Sequence, residues 1–305
     1  MNYSSILVHQ IILMFIIIIL GLFLKLKKFY NDEFISVLGR LLLFVINPLT
    51  IFNSFINEYS SKKAEELLIG FGLAFVCYLV SIIFSELFFR NKKYYLEKFC
   101  IVTTNCAFFG LPIVMALFGQ EAVFYGAPFI VMNNIYQWTY GSYVMSGDKK
   151  NMSFKKIITN PNIIAFILGV IFFFLRIPVF SVISDTFTAL GNMMGPICSL
   201  IIGSTLASAN FKDLKNDISI IGMAIVRLIL VPLCVLFIFK FIDNKYEVIK
   251  YVLLIMSATP SGTSSTVIAG MYKRDTVKAA RIVCFTTILC AITIPLIVNL
   301  ADKIW

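Results

Sequence analysis

Thr103 to Gly119 reads TTNCAFFGLPIVMALFG, and Ile255 to Gly270 reads IMSATPSGTSSTVIAG. Both stretches lie in sequence apolar enough for a bilayer, and both contain what an uninterrupted apolar helix avoids. In the first, Pro112 removes a backbone donor and clashes with the preceding turn, Gly110 permits unusual backbone angles, and Asn105 puts an amide near mid-membrane depth. The spacing predicts unwinding between Asn105 and Leu111. In the second, Pro260 and Gly262 stand among Ser257, Thr259, Ser261, Thr263, Ser264, Ser265 and Thr266. So many hydroxyls at membrane depth call for water, a ligand or partners. Each stretch has a plainer reading beside this one: a proline kink satisfied by neighbouring helices, or small residues that let helices pack closely.

The surrounding chain sets the solvent. Of 305 residues, 59% are hydrophobic and only 14% charged, too few charges to cover a soluble domain of this length, which argues against a soluble globular enzyme. Strand-like alternation is absent, and only helices or closed barrels satisfy their backbone in lipid, so the fold class is an all-α membrane protein. Ten spans are predicted, at about 6–24, 34–57, 67–90, 96–118, 121–145, 160–176, 186–208, 217–242, 247–271 and 277–300. No Lys or Arg precedes the first apolar run, which reaches Lys25 without a small-residue cleavage site. It reads as a retained first helix rather than a signal peptide.

A formal net charge of +10 invites a nucleic-acid reading, but the positions of the charges argue against it. Lys25, Lys27 and Lys28, then Arg90, Lys92, Lys93 and Lys98, then Lys149, Lys150, Lys155 and Lys156, then Lys212 and Lys215, then Lys273, Arg274, Lys278 and Arg281 occupy alternate loops. The opposite side holds only Lys62, Lys63, Arg176, Lys240, Lys245, Lys250 and Lys303. A nucleic-acid patch would cluster in one segment. Alternation with helix count instead places the odd-numbered loops in the cytoplasm and both termini outside, as expected of a multi-pass inner (plasma) membrane protein.

Five spans, a basic linker and five more spans give halves of opposite orientation: 1–145, a linker at 146–159, and 160–305. Pro48 and Pro112 in spans 2 and 4 have the same separation as Pro196 and Pro260 in spans 7 and 9. Inverted repeats broken at matching helices point to a secondary transporter with its site at the repeat interface. Crossing breaks in spans 4 and 9 would aim two half-helix N-termini at one point, a setting that favours an anion.

Other polar groups are sparse. Asn133, Asn134, Gln137, Trp138 and Thr139 place amides and a hydroxyl on span 5, suited either to a small ligand or to interhelical hydrogen bonds. His9, Arg40 and Glu86 lie near span ends. Arg227 sits mid-span and is the least expected charge in the chain, a candidate charge partner for an anion or half of an internal ion pair. No mid-span carboxylate and no HExxH is evident, and the one histidine lies at an edge, so neither an enzyme nor a metal site is indicated. The seven cysteines lie in apolar stretches without CxxC spacing and read as small buried hydrophobes.

At these segments the chain resembles the auxin efflux carrier family, which includes plant auxin carriers of the PIN type and bacterial permeases for malate, malonate and related compounds. The resemblance covers essentially all ten spans. It is carried by Asn105-x4-Gly110-x-Pro112, with Cys106 where the family has Thr, and by Val131-Met132-Asn133-Asn134 followed by Trp138. Pro260-Ser261-Gly262 and Thr293-Ile294-Pro295-Leu296 complete it. The resemblance implies a crossover of helices 4 and 9, a scaffold of helices 1, 2, 6 and 7 that often dimerises, and a transport domain of helices 3–5 and 8–10 moving in an elevator-like manner. It also implies that Asn105 binds a substrate carboxylate, that Pro112 and Pro260 mark the crossing, and that Cys106, Gly110, Asn133, Asn134, Trp138, Ser261, Gly262 and Thr263 complete the pocket. Plant carriers tend to have Gln at Asn133 and Ser261, and a long hydrophilic insert where this chain has a short linker. The implied function is therefore an organic-acid permease for a mono- or dicarboxylate, without a cofactor, with coupling to H+ or Na+ open. A sodium-coupled symporter of the bile-acid type shares the crossover plan and is the alternative.

Overall fold

A computed structural model describes residues 3–56, 59–207 and 217–305. Lys212 and Lys215 of the expected seventh loop, and the expected span ends at 57 and 208, lie outside them. Among the described residues the only regular elements are helices, joined by turns and short loops, with one isolated antiparallel bridge between Thr104 and Ser261.

Six helices are long and apolar enough to cross a membrane: Ser5–Leu26, Asp32–Ser54, Ser61–Phe88, Ser181–Ala207, Ile218–Phe239 and Thr276–Ile304. Lys149–Ile158 and Pro161–Leu175, bent by 47°, add a seventh when taken as one span. The other three expected spans are helical too, and two of them are interrupted. Tyr95–Val102 gives way to a non-helical 103–105 before Cys106–Gly110 and Leu111–Phe118, and Glu247–Ala258 is separated from Ser264–Met271 by 259–263. The third, Ala122–Tyr136 with its continuation to Ser146, is continuous but diluted by amides and tyrosines.

Four five-residue stretches are wound as π-helix: Leu42–Ile46, Cys106–Gly110, Gln137–Gly141 and Val226–Leu230. Three end two residues before a proline, at Pro48, Pro112 and Pro232. A helical proline clashes with the carbonyl four residues back, here that of Phe44, Phe108 or Leu228. A widened π turn at that carbonyl relieves the clash without breaking the helix.

In lipid, helices associate through close packing and hydrogen bonds rather than hydrophobic burial. Tyr3–Leu26 packs along Met194–Ala207 through glycine. A Cβ on Gly203 would stand 2.1 Å from the Ile18 carbonyl oxygen, and one on Gly21 would stand 2.6 Å from that of Leu200. The Tyr30 hydroxyl donates to the Gly21 carbonyl at 2.7 Å and lies 2.8 Å from Ser204 Oγ, closing the same seam. Asn53 joins Asn47–Ser54 to Ser181–Asn192, donating to Thr188 and accepting from Ser184.

A second set of polar ties gathers Ser61–Phe88, Tyr95–Val102, the chain from Ala122 to Ser146, Ile218–Ile225 and Thr276–Ile304. Glu86 pairs with Lys98 at 2.6 Å and accepts from the Tyr140 hydroxyl at 2.7 Å. Glu97, 1% exposed, pairs with Lys278 at 2.7 Å, and Lys278 reaches Asp217 at 2.9 Å. Partial burial disfavours the Asp217 anion, but the Ser219 hydroxyl and the Lys278 ammonium outweigh it and hold the carboxyl below its ordinary range. All seven cysteines are free, six of them buried and Cys234 half-buried.

Candidate functional site

Residues 103–105 and 259–263 lie side by side, and their backbone hydrogen bonds can be accounted for nearly group by group. Asn105 N–H donates to the Pro260 carbonyl at 2.8 Å, and Gly262 N–H donates to the Thr103 carbonyl at 3.0 Å. Thr104 N–H goes to Asn133 Oδ1 at 3.2 Å, and Ser261 N–H to Thr286 Oγ1 at 3.2 Å. Thr103 N–H returns to the Phe99 carbonyl, and Pro260 has no N–H to satisfy. Buried unpaired amides are costly, so these partners are what allow two helices to stop against each other inside the protein. Gly262 is required by the approach itself, since a Cβ there would stand 2.9 Å from the Thr104 carbonyl oxygen.

Beside the breaks is a cavity of about 600 Å³. Asn105, Cys106, Asn133, Asn134, Trp138, Gly262 and Thr263 line it, as do Gln137, Ser264 and Thr266. Two helix starts open onto it, at Cys106–Ala107–Phe108 and at Thr263–Ser264. First-turn N–H groups have no carbonyl of their own helix to bond, so they present donors and the positive dipole end. Asn105 Nδ2 is buried without a protein partner. Asn133 Oδ1 accepts from Tyr78 as well as from Thr104, at 2.9 Å. Asn134 is occupied structurally, donating to the Ile130 carbonyl and accepting from Asn160 Nδ2, each at 2.9 Å. Trp138 carries Lys156 over its ring, the ammonium 4.5 Å from the centroid.

The other expected site residues fall elsewhere. Pro260 lies inside the break but outside the cavity lining, and Ser261, fully buried, donates its hydroxyl to the Cys100 carbonyl at 2.9 Å. Gly110 faces Thr259: a Cβ there would stand 3.1 Å from the Thr259 methyl. Pro112 begins the helix beyond the π turn and is seven residues past Asn105, so the break falls at 103–105 and the segment expected to unwind is π-helical instead. The exchange of backbone hydrogen bonds with 260–262 holds 103–105 open, whereas Pro112 only widens the turn before it. Arg227 does not line the cavity. It is fully buried behind the break and donates from Nη2 to the Thr259 carbonyl at 2.8 Å.

Part of the lining carries no sequence signal of its own. Leu43, Phe44, Ile201 and Thr205 read as ordinary apolar or packing positions, and Asn160 and Asn162 read as the start of a helix, where Asn160 does cap Pro161–Leu175. Only the tertiary structure turns them toward the breaks.

A family model described as "Membrane transport protein" matches residues 6–298. An uncharacterized transporter of Methanocaldococcus jannaschii is 25% identical over 298 residues, covering 94% of this chain and 96% of that protein.

Proposed function

The chain belongs to the membrane transport protein family, the auxin efflux carrier-like group, and from that premise we propose that this membrane transporter carries a small organic anion bearing a carboxylate. The observation behind this reading is the pairing of two helix breaks beside one cavity whose polar wall is made of amides, hydroxyls and first-turn N–H groups. Such groups hold a carboxylate without a fixed countercharge in contact, and helix N-termini favour anions. Asn105 Nδ2, buried and unpaired, gains a partner when a ligand oxygen reaches it.

In this reading the chain is a ten-span inverted repeat, 1–145 and 160–305. The body around Ser61–Phe88, the two breaks and Thr276–Ile304 moves against the helices at Tyr3–Leu26, Asp32–Ser54, Pro161–Leu175 and Ser181–Ala207. The cavity lies between the two groups, with Leu43, Asn162 and Ile201 on one wall and Asn105, Asn133 and Gly262 on the other. A sliding body would carry its wall of the site across the membrane, giving alternating access.

The test is a thermal-shift screen of the detergent-solubilised protein against C3 to C6 mono- and dicarboxylates and indole-3-acetate, followed by uptake into proteoliposomes. A short-chain carboxylate is expected to raise Tm in the wild type, since a ligand stabilises the state it binds. Asn105→Ala should lose that shift and at least about 90% of the uptake, the effect of roughly 1.4 kcal/mol or more, while keeping its unliganded Tm. Wild-type flux in Asn105→Ala, or silence toward every carboxylate, would overturn the reading.

A further inference from the structure

Arg227 is a fully buried charged group that the site as described does not use. It sits in the π turn Val226–Leu230, 0% exposed, with Nη2 donating to Thr259 at the edge of the second break. Its Nε and Nη1 are buried and have no hydrogen-bond partner. The ionisable side chains nearest to it in effect are Tyr78, Cys77, Cys100 and Cys106, all uncharged near neutral pH. The buried carboxylates are engaged elsewhere, Glu66 with Tyr125 and Glu97 with Lys278. Among the described residues no carboxylate forms an ion pair with Arg227, whereas Lys98, another buried cation of the same body, has Glu86, and the buried Lys250 is held by the Ile242 carbonyl, Asn244 Oδ1 and the Trp305 ring.

A fully buried cation without a counterion is strongly disfavoured in isolation. Its position answers that cost. Cys106, within its electrostatic reach, lines the cavity, and Thr259, which accepts from it, is four residues before Thr263 on the cavity wall. Arg227 thus stands one layer behind the place where a ligand would sit. Helix ends contribute dipoles but no net charge, so the guanidinium adds a fully buried unit charge behind the cavity wall, where the half-buried Lys156 over Trp138 stands on the other side.

Resting on the anion-carrier reading, we propose that Arg227 is the specificity-determining charge of this transporter: it neutralises the substrate through the cavity wall, without touching it, and matches the site to a monovalent anion. A neutral analogue leaves the buried charge uncompensated, and a dianion leaves one excess negative charge in the same poorly solvated place.

Binding of a monocarboxylate, its amide and the dicarboxylate of equal length to the full chain in detergent, measured calorimetrically, tests this. Wild type should prefer the monocarboxylate over its amide by about ten-fold, the size of one unit charge acting at roughly 10 Å through a medium of effective dielectric constant about 20. It should also prefer the monocarboxylate over the dicarboxylate, because desolvating the second carboxylate without a countercharge outweighs its added attraction to the guanidinium. Arg227→Gln should lose the preference for acid over amide while binding the amide as before, and Arg227→Lys should restore it. An unchanged acid-to-amide ratio in Arg227→Gln overturns the proposal, as does equal weakening of acid and amide, which marks a purely structural role. Should Arg227→Gln not fold, the wild-type ladder decides alone: a dicarboxylate bound as tightly as the monocarboxylate overturns the charge match. Wild-type indifference to all carboxylates removes the anion-carrier reading itself, and this inference with it.

Discussion

Asn133 shows how one side chain can serve both the fold and the cavity. Its Oδ1 accepts from the Tyr78 hydroxyl and from Thr104 N–H, so it supplies the partner that an interrupted helix needs, while the residue also lines the cavity. Replacing it by Leu leaves two donors unpaired. Asn133→Leu is expected to cost about 1–3 kcal/mol, and Tyr78→Phe, which removes one neutral hydrogen bond and leaves the Thr104 bond in place, about 0.5–1.5 kcal/mol. Thermal unfolding in detergent separates the two, and identical Tm values for both variants and wild type would refute the role given to the amide. Ser261 is the opposite case. The sequence places it at the crossing as a pocket hydroxyl, but its Oγ is turned to the Cys100 carbonyl and its N–H to Thr286, so its polarity is consumed in holding the break.

Among elements, the π turns are the feature that sequence reading transcribes incompletely. Prolines announce a distortion at Pro48, Pro112 and Pro232, but whether the helix kinks, unwinds or widens depends on what the freed carbonyl meets. Here three of the four π turns, at Leu42–Ile46, Cys106–Gly110 and Gln137–Gly141, contribute to the cavity wall, and the fourth carries Arg227. The polar tie between elements is equally specific. Glu97 of Tyr95–Val102 is buried against Lys278 of Thr276–Ile304, with Ser219 and Asp217 of the neighbouring segment completing the cluster. Removing one member of a buried pair strands the other, at a cost of 3–5 kcal/mol for a fully buried pair and about half that here, because Lys278 is partly exposed. Lys278→Met is therefore expected to lower Tm more than the double variant Glu97→Gln/Lys278→Met. A double variant at least as damaging as the single one would show that the pair is not what joins these helices.

Across the whole molecule, the seam between Tyr3–Leu26 and Met194–Ala207 depends on backbone contact. A side chain at Gly203 would meet the Ile18 carbonyl, whereas Gly72 has open space around it. Gly203→Leu should therefore separate two helices and lower stability by about 2 kcal/mol or more, within the upper range of single substitutions, while Gly72→Leu changes Tm by no more than about 0.5 kcal/mol equivalent. Equal behaviour of the two variants in thermal unfolding would contradict the close approach. The same glycine pair was not legible beforehand, because a glycine in an apolar run looks alike whether it faces lipid or another backbone.

From the residues alone it follows that this is a helical membrane protein and that two of its spans, those holding Pro112 and Pro260, are interrupted, though the first interruption falls at 103–105 and not at the expected 105–111. Those conclusions follow from local chemistry: apolar length, proline's missing donor, glycine's missing Cβ and the expense of polar groups in lipid. Only the tertiary structure decided which interruptions meet and what each polar group faces. Asn105 and Pro260 are far apart in the chain, and nothing local in either dictates that one donates to the other's carbonyl. Asn160, Asn162 and Thr205 join the cavity because of where their helices pack. Arg227, conspicuous in the sequence as a mid-span charge open to two roles, donates to the Thr259 carbonyl in a place that only the packing of distant segments creates. A buried charge is defined by its surroundings, and those are assembled from distant parts of the chain.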